Sequence, residues 1–165
     1  MSLNSFLKDF SSHHGFRARS VAVAGEEKAF VLAQLGRPEL DIAEWREMIS
    51  LQRQSATAEN VWIAIEDARA CVHALLHCSF ASPVQQRRVL RILDVIAADL
   101  PGPPVIAAAV ECTSFLACQV GADALEFDFE GARSNLILSA IEQYFRDAGW
   151  RGQSRQIVRY HRQLH

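Results

Sequence analysis

The sequence lacks the short motifs that indicate a particular chemistry. It has no Cys-x-x-Cys pair, no Gly-x-Ser-x-Gly around a serine and no glycine-rich nucleotide loop. These absences leave no support for a zinc knuckle, a dithiol redox centre or a serine hydrolase of the nucleophile-elbow type. The four cysteines lie in or beside apolar segments, so they are predicted to be reduced and buried: Cys71, Cys78, Cys112 and Cys118.

Positive charge is also scarce. Lysine occurs only at Lys8 and Lys28, and 19 acidic residues against 17 basic ones give a formal net charge of −2. A protein that neutralises several phosphates usually carries a basic face, so this balance argues against a nucleic-acid partner. The preference for arginine and alanine indicates a bacterial source. No charged start with an apolar core and a cleavage site opens the chain, which predicts a cytoplasmic protein.

One segment is apolar on every face of a helix. Residues 104–120 read PVIAAAVECTSFLACQV and carry a single charge, Glu111. The run is too short and too polar for a membrane span, so no membrane association is expected. It predicts a buried central helix. Because the chain has 165 residues, half of them hydrophobic, one domain over 1–165 is expected around that helix.

Apolar spacings of three and four recur through most of the chain, as in amphipathic helices. They predict helices over residues 26–35, 41–54, 61–80, 82–99 and 137–148; Ser82-Pro83 supplies the cap and first residue of the fourth. Period-two alternation is confined to 16–23, 124–130 and 155–161. The predicted fold class is therefore mainly all-α, a single-domain multi-helix bundle around the central helix with at most a minor short-stranded β element. Residues 151–165 are predicted to form a basic C-terminal tail.

A buried carboxylate needs a partner, because an isolated buried charge is very costly. If residues 61–80 form the helix beside 104–120, Arg69 or His73 is the expected partner of Glu111. This predicts a buried polar cluster of Glu111, Arg69 and His73. Its structural interpretation is an internal ion pair, and its functional interpretation is an acid or base in a cavity.

Two further groups of polar residues are candidate sites. On a helix, His73 and His77 would share a face with Glu66, a set that can ligate a transition metal; two solvated histidines explain the same pattern. The acidic residues of 123–130 form the second group. They offer a surface for a basic partner, or they pair with arginines of this chain: Asp123, Glu126, Asp128 and Glu130.

The absence of catalytic motifs favours a small non-catalytic protein-binding or regulatory module of the adaptor or toxin-neutralising type. Its expected partner is another protein, and the pattern also allows a homodimer. No cofactor and no catalytic residue are predicted. The alternative is a metal-binding protein or an enzyme that uses the Glu and His residues in a cleft between helices.

Overall fold

The computed structural model describes residues 6–54, 60–84, 87–98, 103–128, 135–147, 151–153 and 157–161. Its helices are α1 (Val21–Ala24), α2 (Glu26–Gly36), α3 (Ile42–Gln54), α4 (Pro103–Val120) and α5 (Asn135–Asp147). Its strands are β1 (Arg17–Ser20), β2 (Asn60–Glu66), β3 (Val72–Val84), β4 (Arg87–Ala97), β5 (Ala124–Asp128), β6 (Arg151–Gln153) and β7 (Ile157–His161).

The seven described strands form one mixed sheet in the order β1-β2-β3-β4-β5-β7-β6. All neighbouring pairs run antiparallel except β4 and β5, which are parallel. The prediction of an all-α bundle is therefore wrong, and the protein has an α/β fold. Within the predicted tail, residues 157–161 form β7, which pairs with β5, and residues 151–153 form the edge strand β6.

Helices cover both faces of the sheet. Helices α4 and α5 pack on one face, with Leu116 and Phe145 in that core. Helices α1, α2 and α3 pack on the other face around the fully buried Trp45 and Ile49. The sheet between them is consequently buried on both sides over its central strands.

Most of the predicted helices that precede or follow the central strands are confirmed. Residues 104–120 lie within α4, and residues 26–35 lie within α2. At the start of α3, the Asp41 carboxylate accepts a hydrogen bond from the Glu44 backbone N–H at 2.8 Å, as its capping pattern predicts. The strand expected within 124–130 is also present, as β5.

The long helix predicted over residues 61–80 is wrong, because this segment forms β2, a turn and most of β3. Every residue of β2 from Val61 to Glu66 is buried. A strand covered by helices on both faces needs apolar side chains on both, so it shows a continuous apolar run instead of alternation. The turn is held by Asp67, whose Oδ1 accepts the N–H groups of Arg69 and Cys71, both at 2.9 Å.

The helix predicted from Ser82 is wrong as well, since residues 82–84 belong to β3 and residues 87–97 form β4. Leu90, Ile92 and Val95 all pack in the same core. In a regular strand, residues three apart would face opposite sides of the sheet. A bulge restores the common face, because His77 pairs with Asp94 while Cys78 pairs with Ile92, so that Leu93 is inserted. The bulge therefore produces the spacing of three that resembles a helix.

Of the described helices, none has both the length and the apolar character needed to cross a membrane.

Candidate functional site

The middle of the sheet opens between β4 and β5. Their parallel ladder pairs Val89 with Ala124 through Ile92 with Phe127, and β4 then continues to Ala97 outside that ladder. Leu93 follows Ile92 and is also the inserted residue of the bulge facing β3. Among the described strands, Leu93 thus has no pairing residue on either side. Backbone polar groups inside a sheet need partners, so this position suits hydrogen bonding to a ligand.

Helix α4 begins beyond the same end of β4. It runs for 18 residues from Pro103 and has no acidic residue in its first turn. The first N–H groups of a helix have no partner within the helix, and the helix dipole makes this end favourable for anions. Pro104, in this first turn, is exposed. The end of α4 and the opening between β4 and β5 together suit a ligand with an anionic group and an extended chain.

A polar and aromatic row crosses the sheet beside Leu93. Trp62 of β2 pairs with His77 of β3, which pairs with Asp94 of β4. The Trp62 and His77 rings stack with centroids 4.4 Å apart and planes 4° apart. Arg37, just after α2, completes the group. Its Nη2 lies 3.4 Å from Asp94 Oδ2, and its guanidinium lies 5.5 Å from the centroid of Trp62.

The environment of His77 keeps its ring neutral at pH 7. Burial, and next the positive charge of Arg37, lower the pKa of His77 from 6.5 to about 4. Nδ1 of His77 is buried without a hydrogen-bond partner in the described structure. A ring of this kind is too weak a base to take a proton near neutral pH. It therefore serves as an uncharged surface beside the Arg37–Asp94 pair.

Close packing fixes the end of α2 against β4. A Cβ atom built on Gly36 would lie 2.5 Å from Ile96 Cδ1 and 2.6 Å from Ile96 Cγ1. Only glycine allows the helix to approach the strand this closely. Ile96 stands two residues after Asp94 on the same strand. The contact therefore holds the Arg37 backbone near Asp94.

Glu111 has partners other than those predicted. Its Oε2 accepts a hydrogen bond from the His13 backbone N–H at 3.0 Å and lies 3.2 Å from His13 Nδ1. Burial raises the pKa of Tyr144, and the charge of Glu111 and a hydrogen bond to it raise that pKa further. Arg69 is exposed in the turn between β2 and β3. His73 bonds Asp67 at 3.1 Å, so neither predicted base is brought to Glu111.

The predicted metal ligands are not brought together either. His73 lies edge-on to Phe16, which packs on the core beneath α4, whereas His77 stacks on Trp62 in the opposite core. Glu66 is paired with Arg19 at 3.6 Å. Within the described part of the chain, no group of three or more metal-ligating side chains occurs.

The acidic residues of 123–130 do not form the predicted surface as a set. Glu126 is only 3% exposed, and its Oε2 accepts a hydrogen bond from Arg91 at 2.8 Å. Asp123 accepts a hydrogen bond from the Arg88 backbone N–H at 3.1 Å. Asp128 pairs with Ile157 in the sheet, and Glu130 lies outside the described residues. Glu126 is thus paired with the Arg91 side chain, and Asp123 is bonded to the backbone of Arg88.

Sequence reasoning missed Arg37, Trp62, Leu93 and Asp94. Trp62 and His77 are fifteen positions apart in the chain, and only the register of β2 and β3 brings them together. A helical interpretation of 61–80 and 82–99 hides that register. The available signal was the excess of β-branched and aromatic residues in these segments, a typical feature of buried strands.

No protein-family profile matches the sequence, and no curated protein does. Solved structures do match. Glucosamine-6-phosphate N-acetyltransferase from Arabidopsis thaliana is 14% identical with a TM-score of 0.60, covering 86% of this chain and 95% of its own. Spermidine N-acetyltransferase from Vibrio cholerae, in complex with CoA and spermine, is 10% identical with a TM-score of 0.60, covering 88% and 94%.

An acetyltransferase of the GNAT family from Streptococcus pneumoniae is 10% identical with a TM-score of 0.53, covering 88% of this chain and 96% of its own. At such low identities the likeness shows the fold alone. The chain therefore has the α/β fold of GNAT acetyltransferases, and the earlier expectations of an all-α fold and of a helical, non-catalytic adaptor are both wrong.

Proposed function

We propose that this protein is an acyltransferase that moves an acyl group from a CoA thioester to the amine of a small acceptor. The observation that carries the proposal is the position of Leu93. Among the described strands it pairs with no residue of β3 or β5, and it lies where the β4–β5 ladder ends. The shared fold supports it, because two of the similar structures are N-acetyltransferases and one of them contains CoA. A cytoplasmic location belongs to the same proposal, since the reaction draws on metabolic CoA thioesters.

The features at this opening fit the chemical parts of such a thioester. The peptide groups around Leu93 can hydrogen-bond to the amides of its extended arm, as a neighbouring strand would. In the first turn of α4, Pro103 and Pro104 have no N–H, so Val105 and Ile106 supply its donors, and no acidic residue is there to repel a diphosphate. The thioester supplies a carbonyl carbon that an amine can attack, with formation of a C–N bond and release of the thiol.

The residues beside Leu93 have distinct tasks in this reaction. A backbone N–H at the bulge can donate to the carbonyl oxygen as negative charge develops on it. Asp94 is the next residue along β4, and its side chain is 29% exposed. It is therefore the carboxylate placed to hold the acceptor amine and to take up its proton.

The proposal is tested by titrating CoA into the full chain by calorimetry. Pro104→Glu places an acid in the first turn of α4, and Pro104→Gln is the matched neutral control. Because Pro104 is exposed, neither replacement enters the core, and both variants should fold. A carboxylate several ångströms from a diphosphate should weaken CoA binding by about tenfold, while the glutamine variant stays near the parent.

Two results would count against the proposal. Absence of CoA binding by the parent protein would refute CoA-dependent transfer. Equal weakening in both Pro104 variants would show that charge at the end of α4 is irrelevant, and the anionic part of the ligand would have to lie elsewhere. Release of free thiol from acetyl-CoA on addition of an amine would establish the transfer itself.

A further inference from the structure

We infer that a second copy of this chain covers the outer face of α2, and that the two α2 helices cross antiparallel about a two-fold axis. The inference is independent of the proposed acyl transfer. It concerns the outer stripe, the surface formed by Lys28, Val31 and Leu35. These residues are spaced by three and four, so they follow one another along one side of the helix.

The outer stripe is apolar at its centre although it faces solvent. Val31 is 68% exposed and Leu35 is 62% exposed, while Leu32 and Ala33 on the inner face of α2 are buried. A surface helix normally places polar residues opposite its buried face. Of the described side chains, Leu51 of α3 is the one other large apolar group that is exposed. A single apolar side chain at the surface is ordinary, whereas two neighbouring ones form a patch that is stabilised by being covered.

The outer stripe is complementary to itself. In a two-fold interface both copies use the same surface, so residue i contacts residue j and j contacts i. When two α2 helices cross antiparallel with the axis between Val31 and Leu35, Val31 of each copy packs on Leu35 of the other. Residue 33 is the midpoint; Lys28 lies five positions before it and Glu39 lies six positions after it. The lysine of one copy is therefore brought towards the glutamate of the other.

The charges beside the apolar centre favour the antiparallel arrangement. Lys28 and Glu39 are both exposed, and among the described residues neither has an ion-pair partner. The neighbouring Glu27 is different, since it is paired with Arg46 at 3.1 Å. An antiparallel copy places opposite charges together at both ends of the contact, whereas a parallel copy places like charges together. This self-complementarity is the reason to choose a second copy over an unrelated protein.

The length of α2 predicts a weak dimer. The helix has 11 residues and is therefore about 16 Å long. Two helices of this length bury less area than the roughly 1,600 Å² of a standard protein interface. We therefore expect a dissociation constant in the micromolar range, at which monomers and dimers coexist.

Association is measured by sedimentation equilibrium of the full chain from about 1 µM to about 200 µM. The average mass should rise from that of one chain towards that of two. Leu35→Gln keeps helix propensity and removes an apolar contact twice per dimer, so it should weaken association by at least about tenfold. Leu51→Gln is the matched control, because it changes an apolar side chain that is 59% exposed on α3, outside the outer stripe. It should leave association unchanged.

Charge reversal tests the antiparallel arrangement separately. Lys28→Glu and Glu39→Lys should each weaken the dimer by about fivefold, because each places like charges together at both ends of the contact. The double variant restores opposite charges with their positions exchanged, so its affinity should return close to that of the parent. All these positions are exposed, so the variants should fold.

Three results would overturn the inference. A parent protein that stays monomeric at the highest concentration would leave the outer stripe to a different partner. A dimer that is unaffected by Leu35→Gln, or equally weakened by Leu51→Gln, would have its interface elsewhere. A double charge variant that binds no better than the single variants would exclude the antiparallel crossing.

Discussion

Replacing Gly36 with Ala should destabilise the protein, with a magnitude set by the contact between α2 and β4. The new Cβ would lie 2.5 and 2.6 Å from two atoms of Ile96, whose side chain is only 5% exposed. Overpacking of a core typically costs about 1–3 kcal/mol. Alanine at a helix position regains up to about 1 kcal/mol relative to glycine. The expected net loss in the free energy of unfolding is therefore about 1–2 kcal/mol.

The effect of Gly36→Ala on the free energy of unfolding should change sign when Ile96 is replaced by a shorter residue. Ile96→Ala alone should cost about 2–5 kcal/mol. In that background the Cβ at position 36 meets none of the Ile96 Cγ and Cδ atoms, so Gly36→Ala should be neutral or stabilising by up to about 1 kcal/mol. The coupling energy of the double-mutant cycle is then about 2 kcal/mol, measured by urea unfolding with comparable m-values in all four proteins. An equal effect of Gly36→Ala in both backgrounds would refute the contact.

Two other predictions concern titration and reactivity. Because the pKa of folded His77 is about 4 while an unfolded histidine titrates near 6.5, stability should be full above pH 6.5 and fall by about 3 kcal/mol as the pH drops to 4. His77→Phe keeps an aromatic ring on Trp62 and should remove the loss of stability between pH 6.5 and pH 4. If the loss is the same in this variant, other titrating groups cause it. Burial raises the pKa of Cys78 to about 12, so thiol reagents should label it and Cys112 only after unfolding, and label the exposed Cys71 and Cys118 in the native protein. Rapid native labelling of all four would contradict this burial.

The sequence was most informative where a helix has one exposed face and marked ends. Helix α3 combines an acidic cap at Asp41 with the buried Trp45 and Ile49 on one side. Its boundaries follow from local chemistry, because capping and periodicity both act within a few residues. Helix α4 is recognisable for a different reason, since a run of 18 residues is too long for an ordinary strand.

The central strands could not be identified by the same means. β2 is buried on both faces, and the bulge of β4 changes the face of its side chains after Ile92, so neither shows a sustained period of two. The turn between β2 and β3 carries no glycine or proline. Ala70 takes the positive φ of 58° instead, and Asp67 supplies the stabilising hydrogen bonds. Local rules therefore favoured one long helix across two strands.

The buried cysteines show how far such an error extends. The sequence predicts burial of all four because it predicts two apolar helices, and the structure buries Cys78 and Cys112. Cys71 is exposed because the turn after β2 interrupts the predicted helix at that point, and Cys118 is exposed near the end of α4. An apolar neighbourhood in sequence thus indicates burial only when the element around it is correctly assigned.

For Glu111, the need for a partner could be predicted from the sequence, but the identity of that partner could not. The requirement that a largely buried carboxylate has a partner follows from solvation alone, and the residue is indeed only 13% exposed and bonded to His13. The identity of the partner follows from topology, which the solvation argument does not contain. Asp94 shows the opposite. Nothing near it in the sequence predicts a partner, but the register of β3 and β4 and the end of α2 bring Arg37 within contact of it. The proposed function likewise depends on contacts between distant segments, since the position of Leu93 is defined by its pairing with β3 and β5 and not by its neighbours in the sequence.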